Sequence, residues 1–260
     1  MRRLNFILVG ATGAALCGAG AAQASDYTVT LGGRAQAVIP YEGAGHNVIV
    51  PVPVIQIRRE GDPDRPSFPG DALGLGILHV GGLSIGPSIR ARQKRNDHGE
   101  RAGLREVNLA LEPGAFVTLW PTDWIRFHAD GGKGVRGHRG WAGEGGADVV
   151  VRPGRWMVSL GPRIGYGDRK YMDAYFGVTP SEAAANVLID TAYSPTAGRR
   201  YVGGVATLAY HITPRIQTTA NFSYHKLSDK AADSPIVQLI GDKDEFSGGL
   251  GLKYSFGVSR

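Results

Sequence analysis

The sequence predicts an all-β protein, a single antiparallel transmembrane β-barrel of about ten strands, with twelve as the next possible count. Three observations lead to this fold class. Segments of about nine to eleven residues alternate between apolar and polar side chains. Aromatic residues lie near the ends of the apolar faces. Short connections that contain proline alternate along the chain with long polar ones.

The alternation is clearest in the last segment, FSGGLGLKYSFGVSR, residues 246–260. There the apolar and aromatic side chains occupy one face, and glycine, serine and lysine occupy the other. The same period of two recurs in residues 27–39, 83–92, 107–119, 125–130, 141–152, 156–167, 201–212 and 215–226. A period of two is the period of a β-strand, so each segment is a predicted strand.

The strand count follows less directly from the sequence. Residues 48–58 fit the alternation less well, and Pro51 and Pro53 predict an edge or bulged strand there. Eleven segments are candidate strands, whereas outer-membrane barrels usually have an even number and both termini on the periplasmic side. We therefore assign the short segment 71–80 to a neighbouring strand, which leaves ten.

The connections distinguish a membrane barrel from a soluble β-sandwich, which would also alternate. Short links around residues 121–123, 152–155 and 213–214 alternate with long polar links at 93–106, 131–140, 168–200 and 227–244. Short turns on one rim and long loops on the other are typical of outer-membrane barrels. In the longest loop, Thr179-Pro180-Ser181-Glu182 has the cap, proline and glutamate of a helix start, which predicts a short helix over residues 183–188.

The first residues predict export. Arg2 and Arg3 precede an apolar run of small residues, and Ala22-Gln23-Ala24 has the form that signal peptidase accepts. We expect residues 1–24 to be a cleaved signal peptide and residues 25–260 to form the barrel. A transmembrane anchor is the weaker interpretation, because no basic flank follows the run.

Composition argues against several functions. Cys17 is the only cysteine and lies in the predicted signal peptide, so the mature chain would have no thiolate for a disulfide, a zinc site or a nucleophile. Without residues 1–24 the chain has 27 basic and 23 acidic residues, a formal charge of +4, which is too weak to indicate nucleic-acid binding. The sequence has no H-E-x-x-H or P-loop motif, and we expect no enzyme, metal or cofactor.

Charged side chains recur on the polar strand faces, which point into the barrel. We expect them to form a lumen network of Arg34, Arg90, Glu112, Arg126, His128, Asp130, Asp148, Arg163 and Arg215. Arg92 and Glu144 are further charges on the same inward faces. Charges of both signs in a barrel of about ten strands predict a closed or very narrow lumen. An anion-preferring pore is the alternative prediction. His128 and Asp130 resemble a catalytic pair, but a structural network accounts for them more simply.

The loop over residues 93–106 is rich in basic side chains, including Arg95, Arg101 and Arg105. Arginine suits phosphate geometry, so lipopolysaccharide is a candidate partner. Because acidic residues are interspersed in the same loop, a solvated charged loop is the stronger interpretation.

Three stretches carry a resemblance to a known family: RKYMDAYFGVTPSEAAA (169–185), ADSPIVQLIGDKDEFSGGLGLKYSF (232–256) and GHRGWAGEGGADVVV (137–151). They closely resemble the MipA/OmpV family of Gram-negative outer-membrane proteins. The most specific motif contains Tyr175, Phe176, Gly177, Thr179 and Pro180. The resemblance implies a single β-barrel in the lipid of the outer membrane.

The resemblance also implies functions. Members that interact with MltA imply a non-enzymatic scaffold that links a murein synthase to a murein-cleaving lytic transglycosylase. Other members resemble channels, permeability proteins and adhesins, so these functions stay open as alternatives. A scaffold would bind its partners through the periplasmic rim, where Arg152, Arg155 and Arg215 are predicted to lie.

Family chains typically end at an aromatic residue that closes the last strand and serves as an assembly signal. Phe256 matches that residue, and Tyr254 lies on the same face of the strand. Residues 257–260 extend beyond it and are expected to form a short periplasmic tail.

Overall fold

The computed structural model describes residues 27–59, 66 and 68–259, so the predicted signal peptide over residues 1–24 lies outside the described residues. Ten long strands are present: β1 Tyr27–Val38, β2 Val48–Arg59, β5 Leu83–Arg92, β6 Ala110–Thr122, β7 Ile125–Lys133, β8 Trp141–Val151, β9 Trp156–Gly167, β10 Gly198–His211, β11 Ile216–Leu227 and β12 Asp244–Val258. Two short strands, β3 Leu73–Gly74 and β4 Leu78–Val80, bring the described total to twelve.

The strands form one curled antiparallel sheet in the order β2-β1-β12-β11-β10-β9-β8-β7-β6-β5-β3, and β4 also pairs with β5. The first and the last strand of the barrel are neighbours in its wall, because β1 pairs with β12 from Tyr27–Val258 to Ala37–Gly248. Ten long strands agree with the predicted count. Residues 71–80, which the sequence assigned to a neighbouring strand, instead supply β3 and β4 as separate strands.

The two rims of the barrel differ as predicted. The turns that join β6 to β7, β8 to β9 and β10 to β11 are short, and the start of β1 and the end of β12 lie on the same side. We call this side the turn rim. The opposite side, the loop rim, carries the longer connections 39–47, 93–109, 134–140, 168–197 and 228–243. In outer-membrane barrels the short turns are periplasmic and the long loops extracellular.

Strand β9 shows how the sequence alternation becomes structure. From Trp156 to Gly167 each exposed residue is followed by a buried one. The exposed side chains are largely apolar, such as Leu160 and Ile164, and the buried ones include Ser159 and Arg163. The wall therefore presents an apolar belt outward and a polar lining inward, as a barrel in lipid requires.

The last strand runs past the predicted assembly signal. Gly257 pairs with Thr28, and Val258 pairs with Tyr27. The prediction that the short periplasmic tail begins directly after Phe256 was therefore wrong for these two residues, because β1 begins early enough to pair with them. The Tyr254 and Phe256 rings stack with their centres 6.0 Å apart, and their role in assembly stays a prediction.

Helices lie only in the loops of the described chain, and none of them is long and apolar enough to span a bilayer. The predicted capping box is confirmed: α2, Pro180–Ala185, begins after Thr179, and the Thr179 and Glu182 side chains each accept the backbone N–H of the other residue. The helix ends before residue 188, because the Asn186 amide turns away to donate to the carbonyls of Glu100 and Ala102.

Two further α-helices were not predicted. Helix α1, Arg169–Phe176, begins behind Asp168, and α3, Pro235–Ile240, begins behind Ser234, with each capping side chain accepting a backbone N–H. Their cap residues are of the same kind as those of α2. Helical periodicity, however, needs a window of about 11 residues or more to show, and both helices are shorter.

The loops and helices pack into one apolar body over the loop rim, which we call the outer cap: loops 39–47, 93–109, 168–197 and 228–243. Its first cluster includes Tyr41, Ala44, Val107, Tyr171, Met172, Tyr175, Phe176, Ala231 and Val237. Its second cluster contains Leu104, Val178, Ala183, Ile189 and Ile236. The aromatic residues of the family motif are therefore buried inside the outer cap.

Glu182 joins two loops of the outer cap. Its carboxylate accepts from the backbone N–H of Thr179 and of Arg105, both at 2.7 Å, and from the Arg105 guanidinium at 3.0 Å. Burial raises the pKa of Glu182, but these hydrogen bonds outweigh burial and lower the pKa from 4.5 to about 2. A carboxyl group whose pKa is lowered by folding stabilises the fold at pH values above its pKa in the unfolded state. This contribution is lost as the pH falls through its pKa in the folded state.

We therefore expect the outer cap of the purified barrel to loosen between pH 4.5 and about 2. Pepsin is active in this range, so its cleavage of residues 168–197, followed by mass spectrometry, measures the loosening. Relative to Glu100→Gln, an exposed control in the same cap, Glu182→Gln should be cleaved faster at the upper pH and should lose the pH dependence. Equal pH profiles for Glu182→Gln and the control would contradict this assignment.

Candidate functional site: the charged lumen

Near the turn rim, buried ion pairs line one wall of the lumen in an inner network of Asp71, Arg126, Asp148 and Arg163. Arg126 donates to Asp148 at 2.8 Å and to Asp71 at 2.7 Å. Arg163 donates to the other oxygen of Asp148 at 2.7 Å. Each of the four side chains is at most 4% exposed. Buried charges of this kind persist only when they are paired, and here β7, β8 and β9 supply both signs.

Residues 68–71 lie inside the barrel instead of in its wall. The Phe68 ring covers Arg126, with 4.9 Å between the ring centre and the guanidinium carbon. Asp71 accepts from the Phe68 backbone N–H at 2.8 Å, and Arg90 donates to the Gly70 carbonyl at 2.7 Å. Phe68 also packs in a cluster with Trp120, Val150, Met157 and Ala209. Residues 68–71 therefore fill part of the lumen.

His128 and Asp130 connect the inner network to charges nearer the loop rim. His128 Nε2 lies 3.1 Å from Asp130, and Nδ1 lies 2.8 Å from the Thr118 hydroxyl. Arg90 donates to both oxygens of Asp130, at 2.7 and 3.0 Å. Because Asp130 is held by an arginine on both oxygens, the pair has the geometry of a structural network.

Above them lies an outer network of Glu42, Arg90, Arg92, Glu112, Glu144 and Arg200. Arg92 donates to Glu112 at 2.6 Å and to Glu42 at 3.2 Å. Arg200 donates to Glu42 and, at 3.2 Å, to Glu144. Since Arg92 is on β5 and Arg200 on β10, Glu42 from loop 39–47 links two distant parts of the wall across the lumen.

The outer cap rests directly on this outer network. His138 from loop 134–140 bonds to Glu112 at 2.7 Å, and its ring centre lies 4.7 Å from that of Tyr171 on α1. The Arg200 guanidinium lies over the same Tyr171 ring and donates to its hydroxyl at 3.1 Å. Burial raises the pKa of Tyr171 well above its ordinary value, so the phenol stays neutral. Cap and lumen therefore form one packed unit.

The structure brings most of the predicted lumen residues together in these networks: Arg90, Glu112, Arg126, His128, Asp130, Asp148 and Arg163. Arg34 lies on the inward face of β1, but its Nε has no hydrogen-bond partner within the described chain. The prediction was wrong for Arg215, which is exposed before β11 begins. Its backbone N–H donates to the Thr213 hydroxyl, so it belongs to the turn.

Four network residues were not predicted: Glu42, Asp71, His138 and Arg200. The first three lie outside the long strands, where alternation carries no information about direction. Arg200 stands at a position that alternation on β10 assigns to the lipid face, but a register shift between Arg199 and Tyr201 turns it inward. A charge at an apparently lipid-facing position is costly, and this was the signal that could have identified Arg200.

The predicted partner-binding residues lie on the turn rim. Arg155 and Arg215 are exposed, while Arg152 donates to the Asp123 carbonyl at 2.8 Å and lies over the Trp120 ring. The Arg155 carbonyl accepts from the His211 N–H at 2.9 Å, so the turns after β8 and β10 touch. Together the three arginines make this part of the rim basic.

The arginines of loop 93–109 have partners within the outer cap. Arg95 is 1% exposed and donates to the Tyr175 carbonyl at 2.6 Å, and burial lowers its pKa to about 10. Arg101 donates to the Tyr41 hydroxyl at 3.2 Å, and Arg105 pairs with Glu182. These side chains hold the cap loops together. They are less exposed to solvent than the solvated charged loop that the sequence predicted.

We expect Asp148→Asn to destabilise the barrel by about 3–5 kcal/mol, because it leaves two buried arginines without their shared carboxylate. Unfolding in urea and detergent, followed by the mobility of unheated samples on SDS gels, measures the effect. Asp229→Asn, which removes the exposed partner of Arg199, is the matched control and should cost about 0–1 kcal/mol. Equal losses would contradict a stabilising role for the inner network.

Comparison with solved structures finds several barrels of low sequence identity. An outer membrane channel from Pseudomonas putida F1 has 12% identity and a TM-score of 0.43, covering 90% of this chain and 97% of that one. The channel DcaP of Acinetobacter baumannii has 11% identity and a TM-score of 0.39, covering 88% and 96%. The protease OmpT of Escherichia coli has 10% identity and a TM-score of 0.27, covering 89% and 96%. Among curated proteins, none matches this sequence.

A family model described as MltA-interacting protein MipA matches residues 30–256. The match runs from β1 to Phe256 on β12 and includes both lumen networks and the outer cap. The chain therefore belongs to the MltA-interacting protein MipA family and is a β-barrel of the Gram-negative outer membrane.

Proposed function

We propose that this barrel is a non-enzymatic scaffold, which binds a murein-cleaving lytic transglycosylase of the MltA kind and a murein synthase at its turn rim. The family description supplies the first partner. The observation that carries the proposal is the filled lumen, which leaves the rims and the lipid-facing wall as the surfaces available for other molecules.

The lumen is filled along most of its length. The inner network and Phe68 occupy the end near the turn rim, and the outer network lies above them. The outer cap then covers the loop rim with buried aromatic side chains. A barrel built in this way uses much of its interior for its own stability, because the buried charges of the two networks are paired within the protein.

The turn rim has the chemistry for a periplasmic partner with an acidic surface. Arg155 and Arg215 are exposed there, and Arg152 lies between Trp120 and the Asp123 carbonyl. A stable interface needs about 800 Å² from each partner. Single turns are too short to supply this area, so the partner would span several neighbouring turns from β8 to β12. Complementary charge would orient it.

A pull-down of the tagged barrel from mild-detergent membranes tests the scaffold, with bound proteins identified by mass spectrometry. We expect a lytic transglycosylase or a murein synthase to be enriched over an unrelated barrel. Arg155→Glu with Arg215→Glu should lose this enrichment by charge repulsion. Arg169→Glu with Arg199→Glu, exposed on the loop rim, is the matched control and should retain it. Equal recovery with both double variants would reject the turn rim, and no enrichment at all would reject the scaffold.

A narrow channel is the second candidate, and one observation favours it. Ser159, Thr207 and Asn221 face inward at directly paired positions of β9, β10 and β11. A side-chain oxygen of each is buried without a hydrogen-bond partner in the described part of the chain. Buried polar atoms of this kind are normally satisfied by ordered water. This wall of the lumen would then conduct water or small ions past the charged networks.

Planar-bilayer recording tests the channel. Wild-type protein should show discrete conductance, and Asn221→Leu should reduce it, because an apolar side chain displaces water from this wall. Ala220→Leu, on the outward face of the same strand, is the matched control and should leave conductance unchanged. A silent wild-type bilayer, or equal conductance in the two variants, would reject this candidate.

A further inference from the structure

From Val48 to Ile55, strand β2 is apolar on both faces, and Gln56 and Arg58 follow on its inward face toward the turn rim. Its outward residues are Ile49, Pro51, Pro53, Ile55 and Ile57, and its inward residues from the loop rim downward are Val48, Val50, Val52 and Val54. The direction follows from the register, since Val50 and Val52 lie opposite the inward-facing Gln36 and Arg34 of β1. Each of the four valines is half-buried.

These valines contrast with the polar and charged lining of the lumen. Their neighbours on β1 are Gln36 and Arg34, and the next strands carry glycine, serine, threonine and asparagine inward. Apolar surface that stays in contact with water costs about 25 cal/mol per Å² relative to the same surface buried. A run of four valines on the lumen side therefore indicates that this part of the interior meets apolar material.

β2 is also one edge of the sheet. The other edge consists of β3 and β4, and within the described residues no ladder joins β2 to either of them. We call the gap between them the seam. Pro51 and Pro53 cannot donate to a ladder, and proline within a sheet is confined to edges whose N–H side is unpaired. These two residues keep a further strand from pairing along the middle of β2.

The seam opens onto the lipid-facing belt. On the β2 side, Ile49, Ile55 and Ile57 are 69–79% exposed, and on the other side Leu73, Leu75 and Ile77 are 70–75% exposed. Behind the second side, the Phe116 ring packs so closely on Gly74 that a Cβ there would lie 2.5 Å from it. Apolar side chains therefore line the outer wall on both sides of the seam, and on the edge strand β2 they also occupy the inner face.

We propose that the seam is a lateral cleft that holds an acyl chain of an outer-membrane lipid, with its methylene groups against Val50, Val52 and Val54. The opening of the seam onto the lipid-facing belt selects this occupant, since a chain can enter from the bilayer without crossing water. The two prolines also remove backbone N–H groups from the edge, which lowers the cost of placing it against hydrocarbon. This cleft is independent of the proposed scaffold and of the channel.

Site-directed spin labelling tests the cleft. The only cysteine, Cys17, lies in the predicted signal peptide, so an introduced cysteine is unique in the mature chain. Val52→Cys would be labelled with a nitroxide and reconstituted into phosphatidylcholine vesicles. Power saturation then compares collisions with oxygen, which concentrates in hydrocarbon, and with a water-soluble nickel chelate. Ile49→Cys on the outward face is the lipid control, and Val187→Cys, which is 91% exposed in loop 168–197, is the water control.

We expect the oxygen-to-nickel collision ratio at Val52→Cys to match that at Ile49→Cys and to exceed that at Val187→Cys several-fold. A ratio equal to that at Val187→Cys would show a wet lumen and overturn the proposal. Protection from both reagents would show that protein covers the valine, and would overturn it equally. Val50→Cys repeats the measurement if Val52→Cys fails to assemble, which gel mobility of the unheated sample reports.

Discussion

Asp148 lies between Arg126 and Arg163 and has no accessible side-chain surface. A carboxylate buried to this degree is tolerable only when opposite charge and hydrogen bonds compensate for its lost hydration. This need for compensation fixes the positions of the paired side chains on β7, β8 and β9. Arg126 also pairs with Asp71 and so holds it in the lumen. Asp71 in turn keeps residues 68–71 inside the barrel, so the filling of the lumen depends on this group of charges.

The outer network extends the same constraint to the outer cap. Glu42 can reach Arg92 and Arg200 because loop 39–47 turns down into the lumen at Gly43, whose φ of +87° is strained for other residues. Tyr171 and His138 then seal the charges from above. Tyr171 and His138 therefore contribute to the lumen as much as to the loops that carry them, since their burial completes the enclosure of paired charges.

The wall is not uniform around this filled interior. From β5 to β9 the lining is charged and paired, whereas from β9 to β11 it carries hydroxyl and amide groups. At β2 it is apolar. Each sector suits a different neighbour: the protein's own arginines, water, or hydrocarbon. This division gives one barrel a paired charged lining on one side and distinct polar and apolar linings on the others.

Local pattern alone determined the barrel class, the ten long strands, the two kinds of rim and most of the lumen charges, because the pleat of a strand forces alternate side chains to opposite faces. The capping box of α2 was equally local. Only the tertiary structure decided the roles of Glu42, Asp71 and His138, which enter the lumen from segments without a repeating pattern. Arg200 depended on a bulge against β9, and Arg215 on a turn. These positions result from contacts between segments far apart in the chain, and such contacts leave no periodic signal in the sequence.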